Sequence, residues 1–159
     1  MIGDNKMTSN ASLNNSTIFQ KSIEIASPIS QVWTLLTEPE QMKKWMMPDI
    51  ELSIQTDWKV GSPIFIRGTM SGKEFENKGL VLKFEPEKNL QYSHLSSVSH
   101  LPDRAENYSI LDFQLHSIHQ KTQLMFTLRN FPTESIYKHM AFYWNVTLEV
   151  FKRIAEEQR

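Results

Sequence analysis

The side chains best equipped for chemistry fall into three small groups. His116 and His119 stand in an H-x-x-H spacing, which on a helix would bring two imidazoles to one metal ion. Alternation through Leu111, Phe113 and Leu115 instead makes this stretch a strand running into a turn, and the pattern places no third histidine or carboxylate beside the pair. They read as solvated turn histidines, with no metal. His100, Asp103, Arg104 and Glu106 crowd residues 96–106; burial at a cavity rim would retune such groups for acid–base work, and the plainer reading is surface-loop charge. The third group is spread over two strands, Tyr92 with His94 and Phe65 with Arg67. If those faces point inward, Arg67 or His94 is the polar anchor for a ligand carboxylate or hydroxyl, because an unpaired buried charge costs several kcal/mol.

Other chemistries lack their residues. The chain has no cysteine, so disulfides, thiolate metal sites and cysteine nucleophiles are excluded. There is no Ser-His-Asp order, phosphate-cradling glycine loop or dinucleotide fingerprint, and with five glycines in all, Gly61, Gly68, Gly72 and Gly79 read as turn and bulge positions. No cofactor is implied. Seventeen basic and eighteen acidic residues give a net charge of −1; the basic ones are dispersed, which leaves no footprint for nucleic acid. No apolar run reaches the ~18 residues of a membrane span, and the opening stretch lacks a secretory apolar segment, so the expected compartment is the cytoplasm.

The elements that must position these groups follow from periodicity. Residues 1–16 are rich in Asn and Ser without alternation, a disordered tail, and residues 17–159 have the size of one domain. Phe19, Ile23 and Ile25 share one parity of a first strand. Ser27 and Pro28 then open a helix as N-cap and first residue, with Val32, Trp33, Leu35 and Leu36 on its apolar side. A second short helix runs from Pro39 to about Trp45 and ends before Pro48. Six strand-like runs follow, at 50–55, 63–70, 74–85, 90–97, 107–117 and 123–130, separated by turn residues as in an antiparallel meander. Their expected inner faces include Leu80, Leu82 and Phe84; Leu111, Phe113 and Leu115; and Leu124, Phe126 and Leu128. Residues 133–157 close the chain as a long amphipathic helix, capped by Thr133, with Tyr137, Met140, Trp144, Leu148 and Phe151 on one face. One sheet with helices on one side is an α+β domain.

This order, together with several local motifs, resembles the START-like (SRPBCC, Bet v-like) superfamily and, more narrowly, the family of activator of heat-shock protein ATPase homologues. The match rests on Ala26-Ser27-Pro28, Val32-Trp33, Leu36-Thr37-Glu38-Pro39-Glu40, Lys44-Trp45, Gly61, Gly79-Leu80-Val81, Glu85-Pro86 and Leu90-Gln91-Tyr92. It continues through Phe113-Gln114-Leu115, Thr122 with Leu124, Phe131-Pro132, and Trp144 with Leu148. The resemblance implies a helix-grip fold, in which a curved antiparallel sheet of six to seven strands wraps the C-terminal helix, with two short helices after strand 1 and an apolar cavity between sheet and helix. Relatives hold lipids, sterols or polyketides there, and a minority are cyclases, dehydratases or hydrolases. The chain departs from the family in having Tyr143 where a glycine usually precedes the helix tryptophan, and Gly61-Ser62-Pro63 where a glycine pair is usual.

Under that fold, Trp33, Leu36, Trp45, Phe65, Leu82, Tyr92, Phe113, Phe126, Met140 and Trp144 are the expected lining of a site for a hydrophobic small molecule, lipid or polyketide-like, with Arg67 and His94 as its polar anchors. The bland alternative is that the same side chains are packed core. Non-catalytic binding is the leading expectation. The competing readings are a cyclase or dehydratase using the same cavity, and a co-chaperone-like or homodimeric interaction domain whose cavity is filled.

Overall fold

The structure, a computed structural model, describes residues 17–158, so the tail expected over residues 1–16 lies outside it. Strand β1 (Ile18–Ile25) is followed by helices α1 (Ile29–Thr37) and α2 (Pro39–Met42). Strands β2 (Ser53–Gln55), β3 (Pro63–Met70), β4 (Lys73–Glu85), β5 (Asn89–Ser96), β6 (Ser109–Ile118) and β7 (Lys121–Arg129) come next, and α3 (Glu134–Gln158) closes the chain. The strands form one curved antiparallel sheet in the order β1-β7-β6-β5-β4-β3-β2. Six strands thus make the expected meander, and β1 crosses to pair along β7, Ile25 opposite Thr122 and Ile18 opposite Arg129. With α3 against its inner surface, this is the α+β helix-grip arrangement.

Local chemistry sets the joints. A residue before proline is restricted to extended backbone, and Glu38, ahead of Pro39, takes φ −76° and ψ 123° between α1 and α2. Pro28, not Ser27, occupies the N-cap of α1. Ser27 is buried instead, with its hydroxyl on Gln31 Oε1 at 3.2 Å and its carbonyl accepting from Thr122 Oγ1 at 2.8 Å. Past Met42 the chain continues in turns rather than in helix through Trp45. Thr133 caps α3 as expected, its Oγ1 accepting from Ile136 N at 3.1 Å, which satisfies one of the orphan donors of the first turn. Gly79 must be glycine for a packing reason: a Cβ there would sit 1.7 Å from the Ser93 carbonyl oxygen on β5.

Helix α3 presents Met140, Trp144, Thr147, Leu148, Phe151 and Ala155 to the sheet and α1. Its orientation is fixed along β1, where Lys21 Nζ reaches Glu149 Oε2 at 2.9 Å and the Asn145 carbonyl at 3.0 Å. Lys152 Nζ donates to the Glu24 carbonyl at 2.8 Å, and Glu156 Oε2 accepts from Ala26 N at 2.9 Å. These contacts cover an edge strand that would otherwise be open to pairing.

Candidate functional site

The inner face of the sheet is read from alternation, since residues two apart on a strand share a face. On β5, Leu90 and Tyr92 belong to the core, and His94 continues their parity; on β6, Ser109, Leu111, Phe113 and Leu115 do so; on β7, Leu124, Phe126 and Leu128. Opposite them, Trp144 lies 4.8 Å from Phe126 and 5.8 Å from Phe113 between ring centroids. Trp45, carried by the turns after α2, stands edge-on to Phe151 at 5.0 Å and tilted to Trp144 at 6.1 Å, with its indole N–H on the Leu35 carbonyl at 2.9 Å. Edge and tilted contacts at these separations are favourable beyond the area they bury. Trp33, Leu36, Trp45, Tyr92, Phe113, Phe126, Met140 and Trp144 are therefore brought together around α3 and are all buried.

Two expected lining residues are elsewhere. Ile64 and Ile66 take the inner parity of β3, which turns Phe65 and Arg67 to the outer face. There Arg67 Nε meets Glu76 Oε2 at 2.8 Å, Nη1 meets Gln55 Oε1 at 2.9 Å, and the guanidinium stacks on the Phe65 ring at 4.5 Å. Arg67 is thus no inward anchor, because an exposed face offers it a carboxylate, an amide and an aromatic ring without desolvation. On β4 the register shifts between Val81 and Lys83. This bulge moves the buried position to Val81, leaves Leu80 48% exposed, and sets Leu82 in the irregularity, only partly buried and outside the core cluster; Phe84 still packs inward. A bulge puts two residues opposite one, so parity before it does not predict parity after it.

His94 does face inward, opposite Ser109. Desolvation pulls its imidazole down to about 4, so it is neutral at physiological pH. Tyr92 is buried beside Tyr143, and burial first, then the proximity of Tyr143, raises its hydroxyl pKa. Tyr143 lies on the flank of α3, partly buried and edge-on to Trp144 at 5.3 Å. Its hydroxyl faces Thr147, one turn on, and the Met47 backbone, but meets neither in hydrogen-bonding geometry; among the described residues it is the buried side-chain polar atom without a partner. Burial raises its pKa as well.

Trp58 is the lining residue that the sequence did not disclose. It belongs to the loop between β2 and β3 and stacks on Phe84 at 5.5 Å and 19°, within 6.2 Å of the Tyr92 ring. Its indole N–H donates to the Thr37 carbonyl at 2.7 Å. Its φ of 60° is in the left-handed region, as is that of Met47 at 49°, a conformation costing roughly 1 kcal/mol or more outside glycine and concentrated at functional sites. Isolated between Asp57 and Lys59, it has no periodic neighbours to mark it.

The charged loop residues and the histidine pair are surface chemistry. Asp103 pairs with Lys78 at 2.7 Å and accepts from the Tyr108 hydroxyl at 2.6 Å, which holds its carboxyl below the usual range. His116 and His119 are exposed, and no cluster of three metal-ligating side chains occurs among the described residues. The buried Asp112 lies on the outer face, accepting from Asn89 Nδ2 at 2.7 Å and Gln91 Nε2 at 3.1 Å with Arg129 at 3.7 Å.

Comparison with known proteins fits this geometry. The sequence profile of the family described as "Activator of Hsp90 ATPase homolog 1-like protein" matches residues 26–156. The chain belongs to that family. A protein of Cytophaga hutchinsonii known from its solution structure is 34% identical, with a TM-score of 0.77 over 92% of this chain and 98% of that one. Other members of the fold diverge further: a Chromobacterium violaceum protein is 17% identical with a TM-score of 0.75 over 87% of this chain and 96% of that one. The Aha1 dimer of Colwellia psychrerythraea is 23% identical with a TM-score of 0.68 over 88% of this chain and 96% of that one. No curated protein matches the chain.

Proposed function

We propose that this chain binds a hydrophobic small molecule, lipid or polyketide-like, between the inner face of its sheet and α3, without transforming it. The observation that carries this reading is the Tyr143 hydroxyl, buried among aromatic rings with no protein partner. Native interiors pair nearly all such groups, and one left over marks a place that a ligand or water completes. The surroundings have the composition of a small-molecule site, apolar walls with a few polar groups. Catalysis of the cyclase or dehydratase kind would call for two converging polar groups such as Arg67 and His94, and Arg67 is engaged on the outer face. The proposal places the protein in the cytoplasm, which its cysteine-free composition suits; no helix among the described residues is long and apolar enough to cross a membrane.

Native mass spectrometry of protein purified from its own host tests the reading. A stoichiometric adduct that extracts into organic solvent is expected; a clean polypeptide mass, with no binding in a screen of hydrophobic compounds, overturns it.

A second reading, self-association, is favoured by the outer side of α3. Phe142 is 73% exposed and Val146, one turn on, 48%, and the Colwellia relative is a dimer. Light scattering that gives a dimer for the natural chain and a monomer for Phe142→Glu supports it; a monomer for both removes it.

A further inference from the structure

Resting on the binding reading above, we propose that the ligand is an uncharged molecule that presents one hydroxyl or carbonyl oxygen to the Tyr143 hydroxyl, with Tyr92 and His94 beside it as selectors of that polar end. The first support is geometric. Tyr143 Oη is buried and unpartnered, and a phenol both donates and accepts one strong hydrogen bond. It is near Tyr92, whose inner-face neighbour two residues along β5 is His94. Neutral imidazole likewise offers one donor and one acceptor. Tyr143 and Tyr92, with His94 next along the inner face of β5, Ser109 opposite it and Thr147 one turn along α3, are the polar groups of a largely apolar interior. A ligand oxygen placed there gives Tyr143 the partner that Thr147 and the Met47 backbone do not supply.

The second support is what the interior lacks. Among the buried residues that the structure describes, Asp112 carries the one formal charge, and it belongs to the outer face. The sequence-expected cation, Arg67, is held outside by Glu76 and Gln55. A ligand carboxylate would therefore lose its hydration with no counter-charge to replace it. Tyr92 and Tyr143 are protonated near neutral pH in any case, burial raising both further, and burial holds His94 neutral, so none of the three changes this balance there.

Three probes of one size test the proposal: naphthalene, 2-naphthol and 2-naphthoate, each titrated into the natural chain and Tyr143→Phe at about pH 7 and followed by tryptophan fluorescence and amide chemical shifts. The expected result is 2-naphthol binding roughly tenfold more tightly than naphthalene, the effect of completing one buried hydrogen bond, and 2-naphthoate binding more weakly than either. Tyr143→Phe, which keeps the ring and is checked for folding by its amide spectrum, brings 2-naphthol to within about threefold of naphthalene. Equal or tighter binding of 2-naphthoate, or an undiminished 2-naphthol preference in Tyr143→Phe, overturns this inference and leaves the binding reading standing. Failure of all three probes to bind the natural chain overturns both.

Discussion

Two neighbouring strips of α3 face the same sheet and are finished differently. Along the central strip, Trp144, Leu148 and Phe151 lock against Trp45, Phe113 and Phe126 with ring separations of 4.8 to 6.1 Å, and the Trp45 indole N–H is tied to the Leu35 carbonyl. Along the flank, Tyr143 brings a hydroxyl into the protein with no partner, in the neighbourhood of Tyr92. The loops bordering that flank carry Met47 and Trp58 in left-handed backbone. The first strip is built as a core should be, with apolar surface buried, shapes interlocked and polar atoms paired. The second departs from those rules at Tyr143, the kind of departure found where a protein works rather than where it merely holds together. The left-handed backbone of Met47 and Trp58 is shared with Ser71, Glu87, His100, His119 and Asn130 and does not by itself set the strip apart.

The comparison breaks most easily at the central strip. Trp144→Ala removes a side chain that is 5% exposed and touches both Phe113 and Phe126, and it is expected to cost about 3–5 kcal/mol in urea unfolding. A loss under about 1 kcal/mol would mean that the strip is loosely packed and that the two are alike.

That helix was legible in the sequence, because its 3.6-residue period, its Thr133 cap and the preceding Pro132 all agree. So were the bounds of β3, since Pro63 and the Ser71-Gly72 turn fix them. Which face of a strand turns inward was less so. In β3 both parities carry bulky apolar side chains, Ile64 and Ile66 on one and Phe65 on the other, so alternation alone cannot choose. In β4 the bulge after Val81 breaks the count halfway along. Trp58 was invisible for a different reason: its place is set by tertiary stacking on Phe84 and by the Thr37 carbonyl, neither of which leaves a local pattern.

A smaller effect is expected from His94 on the polar flank, and it depends on pH. The folded protein holds this imidazole near 4, whereas the unfolded chain takes up a proton around its ordinary 6.5. Above about 6.5 both states are neutral and pH has no effect through this group. As pH falls from there, the unfolded state binds the proton and the folded state does not, so stability declines until the folded group also protonates near 4. Partial exposure of the ring reduces the full linkage, leaving a loss of about 1–3 kcal/mol. Unfolding free energies at about pH 7 and pH 4.5, compared between the natural chain and His94→Gln, should show the glutamine variant losing less by that amount. Parallel declines would place His94 in water.

The smallest effect is expected at Tyr143 itself. Removing a buried hydroxyl that has no partner should leave stability unchanged or raise it by up to about 1 kcal/mol, so Tyr143→Phe should unfold at equal or higher urea concentration. A loss of more than about 1 kcal/mol would show that the hydroxyl is already satisfied, and the contrast between the strips would narrow.

The contrast can be read in one spectrum. The indole N–H resonances of Trp45 and Trp58 report on the central strip and the flank respectively, since Trp45 packs on Phe151 and Trp144 and Trp58 on Phe84 and Tyr92. On titration with 2-naphthol, the Trp58 indole signal is predicted to move progressively and saturate while that of Trp45 stays in place. Movement of Trp45 with Trp58 unchanged would put the ligand in the strip assigned to structure, and stillness of both at saturating probe would mean that the grip holds its own side chains and nothing else.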